Sequence, residues 1–255
     1  MSQLRPALNL SIQPTAHILG VRVDALDPPG VLRRAHELMM GEKPALLVTA
    51  NALLAMDVSS DPALEEACRA AELVTADGVG LVWAARHLGQ ARLTRLPGVD
   101  LALQLCLEAA RHGQSVFLLG AAPGVADAAA RGLRLKVPGL AVTGTHDGFF
   151  KDSEESGVLG AIAASGARLV LVALGSPRQE RWIHRHRSEL APALYMGVGG
   201  SFDIWAGRLR RAPAMIQRLG LEWLFRLLQE PSRYGRMLRL PVFAWRVERA
   251  RRRAK

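Results

Sequence analysis

The chain has 255 residues, 49% hydrophobic and 22% charged, which is enough to bury a sizeable core and too apolar for a disordered protein. Its two cysteines, Cys68 and Cys106, exclude a disulfide framework or a cysteine-based zinc site, and both lie in apolar helical patterns as small buried hydrophobes. The net charge of +10 is concentrated at one end: from Arg208 onward fourteen Arg and Lys face three acids, whereas residues 1–207 are near neutral. Such a localised basic end points to phosphate-bearing partners, either lipid headgroups or nucleic acid.

The first dozen residues and the last few show no pattern of order, and residues 1–20 form an ill-defined extension without the basic start and apolar core of a secretory signal. Beyond it, short apolar runs alternate with helical patterns. Strands are expected at 45–49, 73–75, 115–119, 141–144, 168–174 and 193–198, each ending in a glycine, an Asn or an Asp-Gly turn. Helices are expected near 30–40, 61–71, 79–88, 99–112, 123–136, 154–165 and 178–190. The alternation predicts an α/β fold: a mostly parallel sheet with helices on both faces and ligands at the carboxyl ends of the strands. The body ends near Gly207. After it, Met215, Ile216, Leu219, Trp223, Leu224, Leu227 and Leu228 follow one helical spacing that Pro231 stops. Residues 234–255 interleave Met237, Leu238, Phe243 and Trp245 with arginines, and Pro241 kinks or divides them. The expected division is therefore an α/β domain over 1–207 and a basic helical appendage over 208–255. No run reaches the ~18 apolar residues that a membrane-spanning helix needs.

Five strand-end segments carry candidate chemistry. Thr49-Ala50-Asn51 places a polar pair after a buried strand, as a helix cap at Asn51 or as hydrogen-bonding groups for a sugar. In Thr75-Ala76-Asp77-Gly78-Val79-Gly80, Asp77 closes an apolar strand as a cap or a general base, and Gly78 lets a ligand approach the backbone. Gly120, followed by Pro123 and Gly124 at a helix start, suits a phosphate or nucleoside, although Asp147-Gly148 also reads as a simple turn. Gly175-Ser176-Pro177 begins a helix with Arg178, Gln179 and Glu180 in its first turn, three polar groups able to reach a ribose, a uracil edge or a sugar hydroxyl. Gly197-Val198-Gly199-Gly200-Ser201-Phe202-Asp203 is a glycine turn suited to an anion, with Asp203 as a binding residue or turn cap. There is no G-x-G-x-x-G, P-loop lysine, H-E-x-x-H or G-x-S-x-G, which disfavours nicotinamide enzymes, ATPases, metal hydrolases and serine hydrolases.

Taken in order, these strings resemble the WecG/TagA/CpsF family of bacterial glycosyltransferases. Arg95 followed by Gly98-Val99-Asp100-Leu101, Arg211-Ala212-Pro213, Gly220-Leu221-Glu222-Trp223-Leu224-Phe225-Arg226-Leu227 and Glu230-Pro231-Ser232-Arg233 extend the match over roughly residues 20–245. The resemblance implies a Rossmann-like catalytic body and an appendage that meets the membrane and helps complete the active site. It implies inverting transfer, without metal or other cofactor, of an N-acetylmannosamine-type sugar or a hexose from a UDP-sugar to a polyprenyl-diphosphate-linked sugar, in cell-surface polysaccharide synthesis. By position Asp77 matches the family's catalytic base, Thr49 and Asn51 its polar pocket residues, Arg95 its pocket arginine and Gln179 its motif glutamine. Where the family usually has Thr before the glycine at 98, this chain has Pro97. Arg211, Arg226 and Arg233 are expected to meet the charge of the departing UDP and the anionic membrane surface. The expected location is cytoplasmic and peripheral, on the inner face of the cell membrane, with a homo-oligomer left open. A nucleic-acid-binding protein using the basic tail is the competing reading, disfavoured because the aromatics fall in leucine-rich helices rather than on a stacking platform. A non-catalytic nucleotide-binding protein of the same fold is the other, disfavoured by the presence of Asp77.

Overall fold

The computed structural model describes residues 14–253, so the ill-defined ends expected from the sequence lie largely outside the described residues. Residues 14–20 do not belong to them: β1 (Thr15–Ile18) and β2 (Val21–Asp24) form an antiparallel hairpin that packs its Ala16, Ile18, Val21 and Val23 into the core. Strands of four residues, broken by a Leu19-Gly20 turn, are too short to give a period that identifies them in sequence.

All six expected strands form. They are β3 (Ala45–Ala50), β4 (Leu73–Ala76), β5 (Ser115–Gly120), β6 (Ala141–His146), β7 (Leu169–Ala173) and β8 (Leu194–Gly197). Among the described residues they make one six-stranded parallel sheet in the order β4-β3-β8-β7-β5-β6. Each central strand is apolar on both faces, as burial on both sides requires. In β3, Leu46, Val48 and Ala50 join one core cluster while Ala45 and Leu47 join the other.

The helices α1 (Pro28–Met39), α2 (Ala52–Val58), α3 (Pro62–Ala70), α4 (Val79–His87), α5 (Gly98–Arg111), α6 (Val125–Lys136), α7 (Glu155–Ser165), α8 (Arg178–Arg185) and α9 (Ser201–Trp205) cover the two faces. Helix α2 was not expected, because Ala-Leu-Leu-Ala-Met-Asp-Val is apolar nearly all round and shows no amphipathic stripe. Its five buried residues explain that composition.

The appendage is built from α10 (Ala214–Arg218), α11 (Glu222–Gln229), a 3₁₀ turn (Pro231–Arg233), α12 (Tyr234–Met237) and α13 (Arg239–Arg253). The single helix expected up to residue 230 is two helices. Gly220 breaks it at φ +71°, a conformation that side chains resist, and a Cβ there would stand 2.8 Å from Val79 of α4. Pro241 sits in the first turn of α13, where its missing N–H is harmless, so the division falls just before it, at Leu238. Helix α13 returns to the body. Phe243 and Val247 are buried in the same cluster as α2 and α4, and the helix is fastened by Arg239–Asp57 (2.6 Å), Arg246–Ser59 (2.7 Å) and His87–Glu248 (2.7 Å). Cys68 and Cys106 are free and buried, and burial pushes both thiols up to about 12.

Candidate active site

At the carboxyl ends of β4, β3 and β8 lies a cavity of about 510 Å³, walled on one side by the appendage. The sheet supplies Thr49, Asn51, Asp77 and Gly78, the segment after α4 supplies Arg95 and Gly98, and the appendage supplies Arg211, Glu222, Arg226, Gln229 and Arg233. Residues far apart in sequence meet because parallel strands deliver their ends to one edge and the returning α13 holds the appendage over it.

Asp77 follows β4 directly, and its N–H donates to the Ala50 carbonyl at 2.8 Å, which ties it to the end of β3. One carboxylate oxygen accepts the Gly98 N–H at 2.9 Å, at the first turn of α5. Pro97, at the N-cap of α5, has no side-chain acceptor, so Asp77 caps this helix from another strand. The other carboxylate oxygen makes no hydrogen bond among the described residues and is left to the cavity. Loss of hydration pushes the Asp77 carboxyl above the usual aspartate range, and this outweighs the Gly98 N–H and the charges of Arg95 and Arg226, which favour the ionised form. A carboxyl held in that way is a better proton acceptor than an exposed one.

Around it the polar groups have separate tasks. Asn51 caps α2, its side-chain oxygen accepting from the N–H groups of Leu53 and Leu54 at 3.0 and 3.1 Å, so the capping role is real and only its NH₂ remains for a ligand. Thr49 donates to the Gly197 carbonyl at 3.4 Å and packs against Gly98, where a Cβ would come within 3.2 Å of its hydroxyl oxygen. The Arg95 guanidinium donates to the Gln217 carbonyl at 2.9 Å and the Asp77 carbonyl at 3.4 Å, and pairs with Glu222. Arg211 makes a two-pronged pair with Asp100 of α5. The Arg226 guanidinium lies against Gly200, which leaves no room for a Cβ, and pairs with Glu230 at 2.8 Å, while Arg233 shares the same carboxylate at 3.1 Å. Burial, then the neighbouring Arg226 and Arg236, weaken the hold of Arg233 on its proton.

This arrangement separates the arginines by charge. Arg95 and Arg211 face Glu222 and Asp100, two positive groups against two negative ones. Arg226 and Arg233 share one ion-pair partner, Glu230, with Arg236 beside Arg233, leaving positive charge in excess at this pair. An incoming anion is drawn to the second group rather than the first.

The remaining candidates form a different layer. Gly120, Pro123, Gly124, Asp147, Gly148, Gly175, Pro177 and Arg178 gather at the ends of β5, β6 and β7 and do not line the cavity. Two of their glycines, Gly120 and Gly148, meet tight packing, whereas Gly124 and Gly175 face open space. A Cβ at Gly120 would collide with the Ala173 backbone at φ +124°, and one at Gly148 would stand 2.9 Å from Leu174. Asp147 closes an Asx turn onto the Phe149 N–H at 2.8 Å, and Arg178 lies over the Phe150 ring at 5.6 Å. Gln179 and Glu180 are buried: Gln179 donates to Glu180 at 2.8 Å and accepts the Gly199 N–H at 3.1 Å, joining α8 to the turn after β8. Burial pushes the Glu180 carboxyl up against the hydrogen bonds that would lower it. Asp203 is not on the cavity wall; its carbonyl accepts the N–H groups of Arg208 and Leu209 and so closes the turn after α9.

The sequence profile of the glycosyl transferase WecG/TagA/CpsF family matches residues 16–255. The chain belongs to this family. It is also 37% identical, over 80% of its length and 79% of the relative's, to an N-acetylglucosaminyldiphosphoundecaprenol N-acetyl-beta-D-mannosaminyltransferase of Bacillus spizizenii. The protein is thus a glycosyltransferase, as its motifs suggested. Two parts of this glycosyltransferase's cavity escaped sequence reasoning. Glu222 reads as an ordinary acid at a helix start, and Phe243 reads as part of a basic, membrane-facing helix although it is buried against Gly80. Both owe their place to the register in which the appendage folds back, which no local signal announces.

Proposed function

We propose that this glycosyltransferase moves an N-acetylmannosamine-type sugar or a hexose from a UDP-sugar to a polyprenyl-diphosphate-linked sugar, by one inverting displacement that needs no metal. The observation that carries the reading is the pairing, in one cavity, of a half-buried carboxyl at Asp77, raised by desolvation, with Arg226 and Arg233, which share a single carboxylate. In such a displacement Asp77 takes the proton of the acceptor hydroxyl as the hydroxyl oxygen attacks the anomeric carbon and the bond to the diphosphate breaks. Negative charge grows on the departing UDP, and Arg226 and Arg233 are placed to stabilise it. The relative's printed name gives the acceptor class and the transferred sugar that this reading adopts. The glycine turns after β5 and β7, with Arg178, lie beside the cavity at the same sheet edge and suit the nucleoside side of the donor, while Gln179 and Glu180 brace the turn after β8.

The appendage fits an anionic membrane surface. Met215, Leu219, Leu228, Tyr234, Leu238 and Trp245 are all more than half exposed and are interleaved with arginines. Among the described residues no helix is long and apolar enough to cross a membrane. A peripheral position on the cytoplasmic face follows from this reading, and mixed apolar and basic exposure suits a lipid surface better than nucleic acid. The test is UDP release across a panel of UDP-sugars with a short-chain polyprenyl-diphosphate sugar as acceptor. Acceptor-dependent release with at least one donor is expected; none with any donor would remove the proposal.

A further inference from the structure

We infer that Glu222 is a positioning residue for the transfer: it neutralises the Arg95 guanidinium and holds it away from the Asp77 carboxylate. This rests on Asp77 being the base. Arg95 is gripped from two sides. The body offers the Asp77 carbonyl, at 3.4 Å from Nε, and the appendage offers the Gln217 carbonyl, at 2.9 Å from Nη1, and the Glu222 carboxylate at Nη2. Glu222 is the first residue of α11, lines the cavity, and has its other oxygen 3.8 Å from Nε of Arg211. Of Arg95's contacts only Glu222 carries charge, so its removal leaves a free guanidinium whose Nε already reaches the Asp77 backbone.

An arginine freed at that distance would turn to the nearest carboxylate. A carboxylate paired with arginine holds its proton less well and accepts one from a hydroxyl less readily. The charged groups facing Asp77 are Arg95, Arg226 of α11 and Asp100 of α5, together with the Gly98 N–H; those facing Glu222 are Arg95 and Arg211. Burial lifts Asp77 towards a useful basicity, and Glu222 prevents Arg95 from cancelling that lift. The same contact makes docking of the appendage a condition for a working base, because Gln217 and Glu222 both come from it.

The test is Glu222→Gln in the full chain, measured as kcat and KM against pH together with the thermal midpoint. The expected result is a loss in kcat of about tenfold, a donor KM within about threefold of the parent, and an acid limb of the pH profile moved to lower pH. The double variant Arg95→Gln/Glu222→Gln lacks the Arg95 charge, and its acid limb returns to the parent position or above. Where Glu222→Gln does not fold, Glu222→Asp, which keeps the charge on a shorter arm, should move the limb in the same direction by less. An acid limb that stays in place in the folded variant overturns the inference whatever the rate, since a purely structural role lowers activity without moving it. Asp77→Asn separates the two readings. If it is inactive and the Glu222→Gln limb does not move, only the role of Glu222 fails; if it retains parent activity, the base assignment fails and this inference with it.

Discussion

As the proposed base, Asp77 meets two opposing demands. A base must be ionised at working pH, yet the cavity that makes it basic also strips water from its charge. A carboxyl whose folded pKa lies above its unfolded value binds its proton more tightly when folded. Stability therefore falls as pH rises from the ordinary aspartate value through the raised one, and at neutral pH the ionised group is a net cost. Replacing Asp77 with Asn should cut kcat by about 10² or more while leaving the thermal midpoint unchanged or higher; a variant that is both inactive and clearly less stable at neutral pH would contradict this account. The activity profile should carry an acid limb above the usual aspartate range, read from kcat/KM against pH. Gly200 gives a second test at this scale. A Cβ there meets only the mobile end of Arg226, so Gly200→Ala should displace that guanidinium and raise the donor KM with little change in stability. Asp77 and Gly200 could both be singled out from the sequence, because each follows a buried strand. Their partners could not, since Gly98 and Arg226 lie 21 and 26 positions away in the chain.

Among the elements, the arginines of the appendage differ in their partners. Arg211 is committed to Asp100 and joins the segment before α10 to α5; Arg226 and Arg233 share one carboxylate and keep charge to spare. Arg226→Ala and Arg233→Ala should each lower kcat/KM by about 100-fold, as loss of a transition-state donor does. Arg211→Ala should act mainly on folding stability, by about 1 kcal/mol for a partly exposed pair; equal kinetic losses in all three would show that the three arginines do not differ in role. The sequence put all three together because arginines in a basic helical segment look alike. The strand-end turns behave differently again. Gly120 combines a left-handed backbone with contact against the Ala173 main chain, so Gly120→Ala should destabilise the fold by at least about 2 kcal/mol, seen in denaturant unfolding.

For the whole molecule, the appendage is not a detachable arm. Phe243 and Val247 complete the core over α2 and α4, so removing residues 208–255 uncovers apolar surface on the body and also opens the cavity. Surface substitution is the sharper test of membrane contact. Leu228 is 74% exposed, and Leu228→Glu together with Trp245→Glu should weaken sedimentation with anionic vesicles while leaving the folding stability within about 0.5 kcal/mol of the parent; unaltered binding would remove this surface from the membrane reading. The sequence by itself determined the alternating strands and helices, the placing of polar groups at strand ends, and the family. Those features are written in local periodicity, in the glycines and caps that end each element, and in short strings whose order survives. Only the tertiary structure decided how the appendage folds back, that α2 and the first hairpin belong to the core, and which acid each arginine meets. Those outcomes depend on contacts between distant parts of the chain, where a charge has no partner until the fold supplies one.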